Sequence, residues 1–143
     1  VIAVDTNILV AFHRTEYFTH KKAVAKITAL AEGYDSWAIP WPCVHEFLAV
    51  VTNPRIFEKP TSLAHAVEVI DVVLESPSLR LLGEGPDYWK DFRSLMLKGS
   101  VRGARVHDAR IAALCLENGV RCLWTADRDF NRFPALTCIN PCV

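Results

Sequence analysis

The sequence predicts an α/β protein in which strands and helices alternate around a parallel sheet. Short apolar runs of strand length give way repeatedly to helix-length apolar stripes, and Gly, Asn and Pro fall at the joins. A chain of 143 residues has room for one domain with a substantial core. No repeat, low-complexity tract or linker divides it, so residues 1–143 are read as a single unit.

Val1 to Val4 is the first, fully buried strand. A helix is expected over about residues 19 to 32, with Ala23, Val24, Ile27, Leu30 and Ala31 on one face and Gly33 as its stop. Ser36 to Ile39 makes the second strand. Pro40 and Pro42 mark the entry to a helix over about 42 to 52, because a first turn tolerates the missing N–H. Asn53-Pro54 ends that helix, and the segment to Pro60 is a loop. Leu63, Ala66, Val67, Ile70 and Val73 then form a helical stripe capped by Thr61 or Ser62. Leu79 to Leu82 is the third strand, followed by the Gly85-Pro86 break. The next helix carries Trp89, Phe92, Leu95 and Met96 at the spacing of a core or dimer-interface stripe. A nearly solid apolar helix over about 106 to 118 stops at Asn118-Gly119. Arg121 to Thr125 and Leu136 to Ile139 complete the strands.

Composition narrows the function classes. Hydrophobic residues make up 51% of the chain, yet no apolar stretch approaches the roughly 18 residues of a membrane span, and a soluble protein is expected. The chain opens on a strand-like VIAV with neither a basic leader nor a small-residue cleavage site, which points to the cytoplasm. The five cysteines show no metal-ligand spacing and are read as buried free thiols. Formal net charge is zero, so the chain as a whole does not attract nucleic acid. From Lys90 to Arg132, however, nine Lys or Arg stand against five Asp or Glu, a local basic rim.

Four acids converge by topology. In a parallel sheet the carboxyl ends of strands and the amino ends of the following helices share one edge, where ligands bind. Asp5 ends the first strand, Asp127 lies just past the fourth, and Glu46 and Asp108 sit in the opening turns of their helices. Asp108 shares a face with Ile111, Ala112 and Cys115, and Glu46 with Ala49 and Val50, so both acids continue stripes expected to point inward. Gathered carboxylates repel and raise the pKa of at least one member; a cation relieves this. An all-oxygen cluster suits Mg²⁺, with Mn²⁺ as a substitute, rather than zinc. An ion held there with its waters activates one of them against a phosphodiester, so hydrolysis of a nucleic-acid backbone is the natural reaction.

The stretches VDTNILV, VHEFLAVVTNPRIF, HDARIAA and LWTADRDF, in this order and at this spacing, resemble the PIN-domain nucleases, and especially the VapC-type toxins of bacterial toxin–antitoxin pairs. The resemblance implies a three-layer α/β/α fold, Mg²⁺-dependent endoribonuclease activity, a cognate VapB-type antitoxin and a homodimer. It also implies that Asp5, Glu46, Asp108 and Asp127 form the catalytic metal site. Asp127 takes the fourth place in preference to Asp129, which is left to a second ion, to water orientation or to capping the turn.

Thr6, Asn7 and Thr125 are expected to orient the acids by hydrogen bonding. His45 and His107, adjacent to ligands, are read as rim or packing residues. Trp37, Trp41 and Trp124 are read as packing, with base stacking open to Trp41 if it is exposed. Arg102, Arg105 and Arg110 surround the Asp108 segment and are candidates for guiding the RNA phosphates. Among rival classes, a haloacid-dehalogenase phosphatase would need an acid where Asn7 stands. Dinucleotide binding would need a GxGxxG, and a DNA-directed 5′-nuclease would need further helices. A PIN-like module that binds RNA or protein without cutting is the non-enzymatic alternative.

Overall fold

The computed structural model describes residues 1–143. Five strands, β1 (Ile2–Val4), β2 (Trp37–Pro40), β3 (Leu79–Leu82), β4 (Cys122–Trp124) and β5 (Thr137–Ile139), form one sheet in the order β3-β2-β1-β4-β5, and every pairing is parallel. Six helices flank it: α1 (Thr6–His13), α2 (His20–Glu32), α3 (Trp41–Val51), α4 (Leu63–Leu74), α5 (Tyr88–Gly99) and α6 (Arg105–Glu117). A single 3-10 turn, Arg128–Arg132, follows β4. No helix is long and apolar enough to cross a membrane.

The central strand explains the unbroken apolar start of the chain, since a parallel strand covered on both faces has no polar side to present. Ala3 and Val4 on β1 and Trp37, Ala38 and Ile39 on β2 have no accessible surface. Ile2 is in register with Trp37 on one side and Cys122 on the other. The chain moves outward from β1 through β2 to β3, then returns to place β4 on the opposite flank of β1. The β1–β4 gap is therefore the topological switch point, where the loops leaving two adjacent strands part and open a crevice.

All five expected strands form, with ends moved by one residue or so, the ordinary uncertainty of an element terminus. Ser62 caps α4 by accepting from the His65 N–H at 3.2 Å. Gly119 follows α6 at φ +74°, a left-handed conformation that carries no Cβ penalty in glycine. Two elements depart from expectation. α1 is a helix where the sequence reading placed nothing: Asp5 caps it by accepting from the Thr6 N–H, and Ile8, Leu9, Val10 and Ala11 are buried. On α5 no residue is fully buried; Phe92, Leu95 and Met96 pack against the core, but Trp89 is 65% exposed and is not a core residue.

Candidate active site

β1 ends at the switch point, and the chain turns at once into α1, so the Asp5 side chain is both a helix cap and the floor of the crevice. It is 5% exposed. A carboxylate this deep is tolerated only if its lone pairs are satisfied, and four donors meet it. Oδ1 accepts from the Thr6 N–H at 2.8 Å and from the Cys43 thiol at 3.5 Å. Oδ2 accepts from the Thr125 hydroxyl at 2.7 Å and the Asn7 amide at 3.2 Å.

Thr125, just past β4, is saturated in turn. Its oxygen accepts from Asn7 Nδ2 at 3.2 Å and from the Asp127 N–H at 3.0 Å while its proton goes to Asp5. Asn7 Oδ1 accepts from the Ala126 N–H at 3.0 Å. Asn7 and Thr125 thus tie the β1 and β4 ends together, while the Thr6 N–H holds Asp5 from its own helix. Thr6 also donates its hydroxyl to Glu46 Oε2 at 3.1 Å, which links α1 to α3. Glu46 is exposed to the crevice rather than buried along its apolar stripe.

Asp127 Oδ1 accepts from the Asp129 N–H at 2.8 Å and so caps the 3-10 turn. Capping of this turn thus falls to Asp127, and Asp129 instead forms an ion pair with Arg105, whose guanidinium also reaches Asp108 Oδ2 at 3.4 Å.

Asp5, Glu46, Asp108 and Asp127 all line one open cleft of about 680 Å³, together with Thr6, Asn7, His45, His107 and Arg110. The two histidines are exposed, as rim residues are. Trp41 is 38% exposed and stacks on His45, with ring centroids 6.2 Å apart. Of the three candidate phosphate guides, Arg110 reaches the cleft and is held by Glu84 at 3.0 Å. Arg105 is engaged with its two acids, and Arg102 is exposed outside the cleft lining.

Burial pushes the Asp5 carboxyl above the usual carboxylate range, against the pull of its Thr125, Thr6 and Cys43 hydrogen bonds, with a smaller upward push from Glu46. Burial also raises Asp108, helped by the charge of Asp127 and opposed by Arg105. The rise expected from mutual repulsion is therefore present but comes second to desolvation.

The donor chemistry fits a hard divalent ion. Four carboxylates line one open cleft, and no three His, Cys, Asp or Glu side chains stand close enough together to grip an ion as they are placed. Carboxylate oxygens are the donors that an oxygen-preferring divalent cation takes, with waters completing its shell. Asp108, Glu46 and Asp127 have oxygen sites to spare. Asp5 has all four of its acceptor sites occupied, and the weak Cys43 donor is the one that yields most easily to a ligand bond.

Residues 2–136 match the PIN domain. The chain belongs to the PIN-domain family. Among PIN-domain proteins it is 34% identical over 141 residues to ribonuclease VapC43 of Mycobacterium tuberculosis, covering 99% of this chain and 95% of that one. It is 32% identical over 138 residues to ribonuclease VapC48 of the same species, covering 96% and 94%. Solved structures with the same fold include VapBC2 of Rickettsia felis bound to a promoter DNA fragment, at TM-score 0.68, 18% identity and 96% coverage of each chain. Another is M. tuberculosis VapC20, a sarcin–ricin loop cleaving toxin, at TM-score 0.67 and 18% identity over 92% and 93%.

Two features of this PIN domain escaped the sequence reading. Cys43, in the first turn of α3, lies against Asp5 through a contact between separate elements, and its spacing of three residues to Glu46 was the one local signal that it faces the same side. The Arg105–Asp129 pair joins α6 to the turn after β4, and the (i, i+3) spacing of Arg105 and Asp108 was its one local signal.

Proposed function

We propose that the chain is a metal-dependent endoribonuclease, the toxin half of a VapBC-type pair. The observation that carries this reading is the gathering of Asp5, Glu46, Asp108 and Asp127 on one cleft at the switch point of the sheet. Curated relatives that it matches nearly end to end are ribonucleases, which supports RNA as the substrate. Asp5, Asp108, Glu46 and Asp127 would hold Mg²⁺ or Mn²⁺, and such an ion supplies Lewis acidity that lowers the pKa of water and neutralises charge developing on the phosphodiester.

The remaining work is done by the chain. Thr125, Asn7 and the Thr6 N–H fix the Asp5 carboxylate in one orientation, so little reorganisation is needed when substrate arrives. Glu46 is steadied by the Thr6 hydroxyl. Arg110, braced by Glu84, offers a cation to the RNA backbone where the strand enters. The solved VapBC2 relative supports a VapB-type antitoxin as partner, and the exposed Leu63, Val67 and Trp89 are apolar surface available to it or to a second copy of this chain.

Purified protein incubated with RNA tests the reading. Cleavage is expected with Mg²⁺ or Mn²⁺, stopping with chelator and leaving 5′-phosphate and 3′-hydroxyl ends. Activity that survives exhaustive chelation, or a cyclic phosphate product, overturns the hydrolytic mechanism. Binding of RNA without any cleavage identifies the non-cutting module instead.

A further inference from the structure

Arg105 opens α6 and its guanidinium lies between two acids from different parts of the chain, Asp108 one turn along the same helix and Asp129 beyond β4. Asp108 alone of the three lines the cleft. The guanidinium thus reaches the carboxylate cluster from outside, holding Asp129 by a close contact and Asp108 by a longer one of 3.4 Å.

We propose that Arg105 is an exchangeable counter-cation of the cluster, anchored by Asp129. It gives up Asp108 to an incoming divalent ion and then presents its freed guanidinium edge to an RNA phosphate. This rests on the metal-dependent ribonuclease reading of the same cleft. It assigns Asp129 to positioning Arg105 and takes it out of the metal shell.

Two observations and one general argument carry it. Arg105 and Asp129 are 41% and 40% exposed and Asp108 18%, so the pair is screened by water and its hold on Asp108 is weak enough to exchange. A divalent ion and a guanidinium compete for the same oxygen, and the ion has the greater charge density. Once released from Asp108, the planar fork remains tethered beside the cleft by Asp129, and that fork matches a phosphate in two-point geometry.

Mn²⁺ binding, read by water-proton relaxation without RNA, tests the exchange directly on the intact chain. Removing the competing cation in Arg105→Gln is expected to tighten Mn²⁺ binding about two- to fivefold. Cleavage at saturating metal should fall about tenfold through a raised KM, the signature of a lost phosphate contact. Asp129→Asn should bind Mn²⁺ as well as wild type and share the raised KM. Circular dichroism verifies the fold of each variant.

Unchanged or weaker Mn²⁺ binding in Arg105→Gln overturns the exchange, and loss of Mn²⁺ binding in Asp129→Asn makes Asp129 a ligand and overturns its anchoring role. Asp5→Asn separates this from the underlying reading. If Asp5→Asn abolishes Mn²⁺ binding but Arg105→Gln does not tighten it, the metal site stands and the exchange alone fails. If Asp5→Asn binds Mn²⁺ like wild type, the site itself is wrong and the exchange falls with it.

Discussion

The Thr125 hydroxyl donates to Asp5 Oδ2 at 2.7 Å, a bond between residues 120 positions apart that closes the switch point. Because the same oxygen accepts from Asn7 and from the Asp127 N–H, one hydroxyl sets the position of two candidate metal ligands. Thr125→Val keeps the shape and removes all three bonds. It is expected to cost about 1–3 kcal/mol of stability, the range for leaving buried polar groups unpaired. The pKa of Asp5 should move further up, since the largest of the hydrogen-bonding pulls that hold it down is gone. Thr125→Ser restores the bonds and should restore both properties. Chemical denaturation and carbonyl NMR of Asp5 check the two effects, and a Val variant of wild-type stability would show the hydroxyl to be idle.

The raised pKa values of Asp5 and Asp108 fix a sign for pH dependence. The metal-free folded state holds these protons more tightly than the unfolded chain does. Their contribution to stability is therefore fully present below the ordinary carboxylate value of 3.8 and is lost as pH rises through the folded values. Glu16 and Glu84, held low by hydrogen bonds including those from Arg14 and Arg110, act in the opposite direction. The difference in Tm between wild type and Asp108→Asn isolates the Asp108 share. That difference should widen in favour of the variant from about pH 4 to pH 8 without metal, and Mg²⁺ should stabilise wild type selectively at the upper end. A difference independent of pH would mean that Asp108 is not raised.

The gathering of the four acids on one cleft was legible because it depends on periodicity and on one topological rule. Alternating strands and helices force Asp5, Glu46, Asp108 and Asp127 to one sheet edge whatever the details of packing. What was not legible is chiefly tertiary. α1 was missed because an eight-residue helix beginning Thr-Asn-Ile-Leu-Val contains β-branched residues that read equally well as strand; the Asp5 cap that decides it is also the site residue. Trp89 was placed in a stripe by its spacing to Phe92, and spacing cannot tell which edge of a stripe stays in water. The Asp129–Arg105 pairing joins separate elements and has no periodic signature.

Cys43 and Cys115 have no accessible surface, and burial pushes Cys115 up to about 12 and Cys43 well above the usual thiol range. Thiolate is the reactive form, so both should resist alkylation in the folded protein. Mass spectrometry after iodoacetamide treatment is expected to find these two unmodified in native buffer and modified in denaturant. Rapid native labelling of Cys43 would show that α3 opens away from Asp5.

The two most informative acids differ in what their removal does to the fold. A sequence reading treats Asp5→Asn and Asp108→Asn alike, since each removes a repelling charge at nearly constant shape and should spare stability. The structure separates them. Asp108 receives one long contact from Arg105 and is partly buried at the cleft wall, so its amide loses little and sheds both the desolvation of a charged group and the repulsion from Asp127. Asp5 accepts at both oxygens from four donors. An amide there offers one accepting oxygen, and its NH₂ must face either the Thr6 N–H or the Thr125 hydroxyl and Asn7 amide. Relief of the buried charge offsets part of that conflict, but at least one buried donor is left unpaired at about 1–3 kcal/mol. Without metal near neutral pH, Asp108→Asn should melt at or above wild type and Asp5→Asn below it, while both lose RNA cleavage and most Mg²⁺-induced stabilisation. Thermal melts with and without Mg²⁺, paired with a cleavage assay, check the ordering. An Asp5→Asn protein as stable as Asp108→Asn would show that the four-donor cradle does not hold the carboxylate, and an Asp108→Asn protein that still cleaves RNA would remove Asp108 from the catalytic set.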